Sequence, residues 1–377
     1  MLSKYVAMSF LRLLFLLLLP VLAVAQKRLV FLGTYNWEKD KPGIYVYEIT
    51  KGKLKKRSFY SGVLNPSFIT LSPDGKYLYA CIESKTKGAG GVAAFRVDAT
   101  NARIEFINST PSGGENPVYV QVHPEGRWLV NANYTEGSLS VYPILEGGAV
   151  GPFVQNLHFK EGSVHPKRQE ASHVHAAIFS PEGTQLIAPD LGADRLRVFP
   201  FSANRVRPLH EEEELAIRSQ PGTGPRHLIF HPSEAYAYCI EEMGGAVLVY
   251  SYRDGKIEEL QRILTHEGRD DRNRESSDIQ ISPDGKYLYA GNRGKENNIV
   301  LFSVGSDGKL ENLGYFPTHG EHPRTFAVDQ DVLVVAHPVS GEVSFFCRNP
   351  EDGKLRKVGK KLKIPGVSTV QIRTYGL

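Results

Sequence analysis

The stretch NPSFITLSPDGKYLYACIE, Asn65 to Glu83, decides the fold, because it recurs five more times in altered form. The copies are NPVYVQVHPEGRWLVNANY from Asn116, SHVHAAIFSPEGTQLIAPD from Ser172, GPRHLIFHPSEAYAYCIEE from Gly224, SSDIQISPDGKYLYAGNR from Ser276 and HPRTFAVDQDVLVVAHP from His322. Their turn prolines, Pro73, Pro124, Pro181, Pro232 and Pro283, stand 51, 57, 51 and 51 residues apart. A period near fifty built from short strands is the signature of a β-propeller. In the first copy an alternating run, Phe68 to Leu71, leads into Ser72-Pro73-Asp74-Gly75 and then into Tyr77 to Cys81. Serine, proline and glycine at those positions favour a type I turn, so each copy predicts a hairpin.

A third strand follows each hairpin: Val92 to Val97, Ser138 to Ile144, Arg195 to Phe201, Ala246 to Tyr252, Ile299 to Val304 and Glu342 to Cys347. An outer fourth strand often precedes the next copy. The chain ends complement one another, since Ser368 to Ile372 supplies a seventh inner strand with nothing after it. Arg28 to Tyr35, Gly43 to Ile49 and Leu54 to Tyr60 supply a second, third and fourth strand with no first. The fold class is therefore all-β: a seven-bladed β-propeller of four-stranded antiparallel blades, with the last blade closed by both termini. Such a clasp removes free sheet edges; an open solenoid is the alternative that the complementary ends disfavour.

Residues 1–25 read separately. Lys4 and Arg12 precede the apolar run Leu13 to Leu22, which ends in the small-residue site Ala23-Val24-Ala25. That is the pattern of a secretory signal peptide cleaved near Ala25, with Met1 or Met8 as the start. A membrane anchor is the alternative, for which the run is short. Residues 26–377 are then the propeller domain, exported to the periplasm or secreted, without a stable membrane anchor after cleavage and monomeric. The formal net charge of the whole chain is +4. Nothing in that balance points to nucleic acid. The runs Glu211 to Glu214 and Arg269 to Arg274 read as solvated loops. Cys81, Cys239 and Cys347 are odd in number and lie at strand positions, which reads as small buried hydrophobes rather than disulfides.

Strand polarity sorts the polar residues. In an antiparallel hairpin the beginnings of first strands and the ends of second strands share one face of the disc, and the SPDG turns lie on the other. The first group carries His173, His175, Arg226, His227, Asp278 and Arg324; the second carries Asn133, Asp190, Glu242, Arg293 and His337. Inner strands line a central channel, so these groups converge on one mouth. Each also has a structural reading: His173 and His175 alternate, so one phase faces the channel end, and Arg226 and Arg324 both follow a proline, as salt-bridging arginines repeated between blades would. Metal ligation is disfavoured, since the two histidines lack an accompanying carboxylate or Cys/His framework. No cofactor loop, GxSxG elbow or serine triad is present. A pocket of ionisable groups is the default active-site expectation.

Several motifs together carry a family resemblance: HFKEGSVHPKRQEASHVH (158–175), PDLGADR (189–195), Gly224-Pro225-Arg226-His227 with His231-Pro232 and Glu242, Asn292-Arg293-Gly294, and Gly320-Glu321-His322-Pro323-Arg324. They resemble the lactonase family of seven-bladed propellers, which includes propeller-type 6-phosphogluconolactonases and fungal carboxy-cis,cis-muconate lactonising enzymes. The resemblance implies a site at the channel mouth with His175, Arg226, Glu242 and Arg293 as catalytic groups. Arg168, Gln169, His173, Asn133, Asp190, His227, Asp278 and Arg324 are the substrate-binding candidates. Ser172 and His337-Pro338 depart from the family pattern and alter one wall. An exported enzyme would rarely meet cytosolic 6-phosphogluconolactone, so the resemblance implies lactone chemistry more than that substrate.

The expected reaction is hydrolysis of an anionic or sugar lactone, without cofactor. Glu242 would deprotonate water, Arg226 and Arg293 would hold the oxyanion or a substrate anion, and His175 would protonate the leaving ring oxygen. Replacing Glu242 by glutamine would then abolish hydrolysis and leave the fold intact. Muconate-type cycloisomerisation and a non-catalytic binding propeller remain open, because fold does not choose between them.

Overall fold

The computed structural model describes residues 26–268 and 274–376. Residues 1–25, on which the expected signal peptide falls, and most of the Arg269–Arg274 run lie outside the described residues. Seven sheets of antiparallel strands form the ring. Blades are numbered here from the first complete repeat. Blade 1 runs from Ile69–Leu71 through Tyr77–Ile82 and Gly91–Asp98 to Arg103–Pro111. Blade 2 begins at Pro117–Val122, blade 3 at Ile178–Phe179, blade 4 at Pro225–Phe230, blade 5 at Ser276–Ile281 and blade 6 at Thr325–Val328. Blade 7 is the composite: Val367–Gly376 is innermost and pairs with Gln26–Thr34, followed by Pro42–Thr50 and Lys53–Ser61. The expected clasp is present, in register from Gln26↔Gly376 to Gly33↔Thr369.

The burial pattern follows from strand position within a blade. Second strands are covered on both faces by neighbouring blades, so Trp128–Asn133, Tyr236–Glu241 and Val332–His337 are buried throughout. Outer strands such as Lys256–Leu264 are largely exposed and carry the charge. The apolar core is correspondingly divided into seven clusters, one between each pair of adjacent blades. The cluster of Val30, Leu32, Val332, Val334 and Val343, for example, welds blade 7 to blade 6. Closing the ring thus buries both faces of every blade.

The turns explain their own sequence. Ser72 Oγ donates to Asp74 Oδ1 at 2.6 Å, Lys76 N–H donates to the same oxygen, and Gly75 N–H donates to Ser72 O at 2.8 Å with Gly75 at φ +72°. Where histidine replaces that serine, the ring reaches the next blade: His123 Nε2 lies 2.9 Å from Gly183 O and His231 Nε2 3.1 Å from Gly285 O. These histidines are structural.

Three readings change. The inner strand expected from Ser172 is regular only over Ile178–Phe179. His175 N–H donates to Pro189 O at 3.0 Å, but proline has no N–H to return the bond, so the ladder lapses at this point. Glu211 to Glu214 are not merely solvated: Glu211–Glu213 form a 3-10 turn, Glu211 accepts from Gln155 and Arg207, and Glu214 accepts from Arg197. Cys81 and Cys239 are buried free thiols as expected, but Cys347 is partly exposed.

Candidate active site

Strict alternation would send Arg226 and His227 to opposite sides of their strand. A bulge prevents this. Pro225 pairs with Glu241 and His227 with Ile240, which leaves Arg226 as an extra residue without a partner. The same irregularity occurs at the start of blade 5, between Ser276 and Ile279, and of blade 2, between Pro117 and Tyr119. Bulges re-aim side chains at sheet ends. Here Arg226 and His227 are both buried and touch, with Arg226 NH1 3.1 Å from His227 Nε2.

Glu242 is the centre of the arrangement. Its backbone is pinned by N–H donation to Gly224 O at 2.8 Å and by acceptance from Ser276 N–H at 2.9 Å. Its carboxylate accepts from Arg226 Nε at 2.8 Å and pairs with Arg293 NH2 at 3.0 Å through Oε2, and accepts from Arg168 NH2 at 2.5 Å through Oε1. One carboxylate thus meets three guanidinium groups from two blades and a loop. Burial pushes the Glu242 carboxyl up, but Arg293, Arg226, His175 and Arg168 outweigh it and hold the group well below the usual carboxylate range. Burial, with Arg293 and Arg324 beside it, pulls Arg226 down to about 9 against the opposing pull of Glu242; it is still a cation at neutral pH. Arg226 also donates to Ser277 O, which fixes its fork.

His175 completes the group from blade 3. Its ring lies edge-on to Tyr134 at 5.5 Å and to His227 at 5.2 Å, and Nδ1 has no hydrogen-bond partner among the described residues. Burial first, then Arg226, depresses its pKa well below 6.5, so the imidazole is neutral at pH 7. His227 Nδ1 meets Asp278 Oδ1 at 2.8 Å, and that carboxylate also accepts the N–H groups of Ile279 and Phe326. Asp278 orients His227 while burial and Arg226 pull the ring down to about 4. Arg324, from blade 6, lies within Coulombic reach of Arg226 and Glu242.

Other candidates are brought to the neighbourhood but spent on the scaffold. Asp190 accepts from Ser172 Oγ, His173 N–H, Ala193 N–H and Arg197 Nε, and is fully buried. Its work is to hold the segment before His175 in place. Asn133 bonds Asn131 and Ser138 within blade 2 and Ser112 O in the segment that leads into it. Gln169 donates to Leu191 O and accepts from His165 N–H, so it staples the loop instead of facing the mouth. His173 stacks on Tyr134 at 4.5 Å with Nδ1 3.0 Å from Tyr134 O; His175 is the histidine of the pair that joins the cluster. His337 is buried and lies 3.1 Å from Glu342 O, apart from it.

Sequence reasoning overlooked His322, whose Nε2 is 3.3 Å from Arg293 NH1, and Tyr134, which meets Arg168, His173 and His175. A signal for His322 existed: it precedes Pro323-Arg324 as Gly224 precedes Pro225-Arg226, and both take positive φ, +62° and +61°. No group of three or more metal-ligating side chains is assembled among the described residues. A cavity of about 350 Å³ occupies the central channel towards the turn face, lined by Phe68, Gln121, Gln280 and Gln371, with His227 and Asp278 also on its wall. Glu242, Arg226 and Arg168 do not line it. Across the mouth itself lies Arg168, whose side chain is 40% exposed against 5% for Glu242.

Seven antiparallel sheets in a ring define a seven-bladed propeller, and comparison with known proteins gives the family. Residues 29–372 match the model described as lactonase, 7-bladed beta-propeller. The chain belongs to that lactonase family. It is 36% identical over 352 residues to a 6-phosphogluconolactonase of Formosa agariphila, covering 92% of this chain and 99% of the relative. It is 30% identical to a 6-phosphogluconolactonase of Bacillus subtilis, covering 90% and 96%. Among solved structures, the periplasmic gluconolactonase of Pseudomonas aeruginosa superposes with a TM-score of 0.84 at 28% identity, covering 92% of this chain and 99% of that one.

Two outcomes follow from the charge arrangement. Glu242→Gln leaves buried Arg226 and Arg293 without their counter-charge, so it should destabilise the fold by about 3–5 kcal/mol in chemical denaturation, contrary to the expectation of an intact fold. Arg168→Met, at a half-exposed position, should cost about 1 kcal/mol or less. Equal effects would mean that the cluster is not a buried unit. Acidification supplies the second. His227, His322 and His337 are each drawn by burial to about 4, below the ordinary 6.5 of an unfolded chain. Between those values the unfolded chain binds more protons, so stability is full above pH 6.5 and falls as pH drops towards 4. Melting curves across that window should show the decline, and His227→Gln should flatten it. An unchanged slope would place the proton uptake elsewhere.

Proposed function

We propose that the protein hydrolyses a sugar-acid lactone at this mouth and that His175 is the proton-transfer group. The observation that carries the assignment is which acceptor is open: both Glu242 oxygens are occupied by arginines, whereas the neutral His175 ring keeps a buried nitrogen without a partner among the described residues. A group that takes a proton from water must be within hydrogen-bond reach of it. The roles expected from sequence are therefore redistributed. Water attacks the lactone carbonyl carbon as His175 takes its proton; Arg226 and Arg293 stabilise the tetrahedral oxyanion. The ring C–O bond then breaks, and the imidazolium returns the proton to the departing ring oxygen. Glu242 supports the transient imidazolium and orients both arginines. Arg168 shifts from Glu242 to admit substrate, its charge suiting an acid product.

Family membership and the names of the relatives support lactone hydrolysis. The signal-peptide pattern and the periplasmic structural relative support export. A sugar lactone outside the cytosol fits both. N-terminal sequencing of the exported protein should begin at Gln26; retention of the leader would overturn export.

Incubation with a panel of aldonolactones and muconates tests the reaction. Acid release from aldonolactones above spontaneous hydrolysis is expected, with kcat/KM reduced about 100-fold by Arg293→Lys, which loses the planar fork. Lactone formation from muconates would instead select cyclisation, and no turnover of either would select a binding role.

A further inference from the structure

The mouth has a second wall. Opposite the blades that carry Glu242 and His175, Tyr35 follows the second strand of blade 7, Glu83 follows the second strand of blade 1, and Arg324 immediately precedes the inner strand of blade 6. These positions are the equivalents of Glu242 and Arg226 in their own blades. The Arg324 Cζ lies 5.5 Å from the Tyr35 ring centroid. Among the described residues its guanidinium has no carboxylate within ion-pair distance, in contrast to Arg226, Arg293 and Arg168. Glu83 Oε2 is buried and has no hydrogen-bond partner among the described residues. Its carboxylate is within reach of both Tyr35, whose phenol is its nearest donor, and Arg324, and Arg324 is in turn within Coulombic reach of Glu242. Glu83 is pinned through its backbone: its N–H donates to Asn65 O at 3.0 Å and its carbonyl accepts from Asn65 Nδ2 at 3.2 Å.

We propose that Glu83, with Tyr35 and Arg324, is the specificity wall of the site and recognises adjacent hydroxyl groups on the lactone ring. This rests on the hydrolytic reading of the same mouth and adds residues to it. An ionised carboxylate is an acceptor only, and a buried acceptor left unmatched is costly. A hydroxyl supplies the missing donor. The guanidinium beside it supplies donors for the hydroxyl oxygens, so a neighbouring acceptor and donor match a vicinal diol, each of whose hydroxyls gives and accepts one bond. The Tyr35 phenol, which burial pushes up to about 12, stays protonated and adds a donor. The same carboxylate opposes a second anionic substituent on the substrate, because like charges in a desolvated wall repel. A polycarboxylate of the muconate type is thereby selected against, while a polyhydroxylated ring is selected for. Sites built to bond a hydroxyl reject the analogue that lacks it.

Discrimination between D-glucono-δ-lactone and δ-valerolactone, which has the same ring without hydroxyls, reads this wall directly. In the purified exported protein, Glu83→Gln and Glu83→Ala should each lower the ratio of kcat/KM values, hydroxylated over unsubstituted, at least tenfold, mainly through KM of the hydroxylated lactone. A ratio that stays within twofold of the wild type in both variants overturns the proposal. If the wild type hydrolyses neither lactone, the hydrolytic reading fails by itself. The wall is then judged by calorimetric binding of D-gluconate against 5-hydroxyvalerate. A preference for gluconate that Glu83→Gln abolishes supports it, and no preference, or one that the variant retains, overturns it.

Discussion

Closure of the ring is the constraint on which everything else depends. Each inner strand delivers its first residues to one mouth only because the seven blades are held in a circle, and the circle is completed by pairing of the chain's two ends, Gln26–Thr34 with Val367–Gly376. Residues far apart in sequence, from Tyr35 to Arg324, meet there as a consequence. Two tasks are therefore separable: repeated turns and buried second strands carry the fold, and the non-repeating residues gathered at the mouth are free to form the proposed site.

Much of this was legible in the residues. The PDG turns and alternating strands gave the blade, and complementary partial repeats at the two ends gave the count and the clasp. What stayed hidden was local departure from the strand pattern. The bulge at Arg226 changes which side consecutive residues face, and nothing in GPRH distinguishes it from a regular strand. Pro189 was visible but its effect, a lapsed ladder beside His175, depends on a cross-strand partner that sequence does not name. Asp190, Asn133 and Gln169 were polar residues in the right slots, yet buried hydrogen-bond demands of the scaffold consume them. Glu83 and Tyr35 occupied those slots too and went unread, since a carboxylate and a phenol at strand ends have no motif.

The charge distribution at the mouth reshapes the chemistry expected of it. A carboxylate in a pocket invites the role of base, but its neighbours decide. Three guanidinium groups make Glu242 an electrostatic keystone, while the neutral His175 keeps an unpartnered ring nitrogen, which is why the proton transfer is proposed there. Arrangements of this type pre-position cations for a developing oxyanion without reorganisation during the reaction. They also make the site sensitive to the loss of its one central anion, which links stability and activity at a single residue.

A crystal structure of the protein with bound D-gluconate would test the central claim most directly. The account predicts the ligand at the mouth, its carboxylate on Arg226 and Arg293, His175 within hydrogen-bond distance, and Arg168 displaced from Glu242. Gluconate seated instead in the central channel among Gln121, Gln280 and Gln371, with the Glu242 cluster undisturbed, would contradict it.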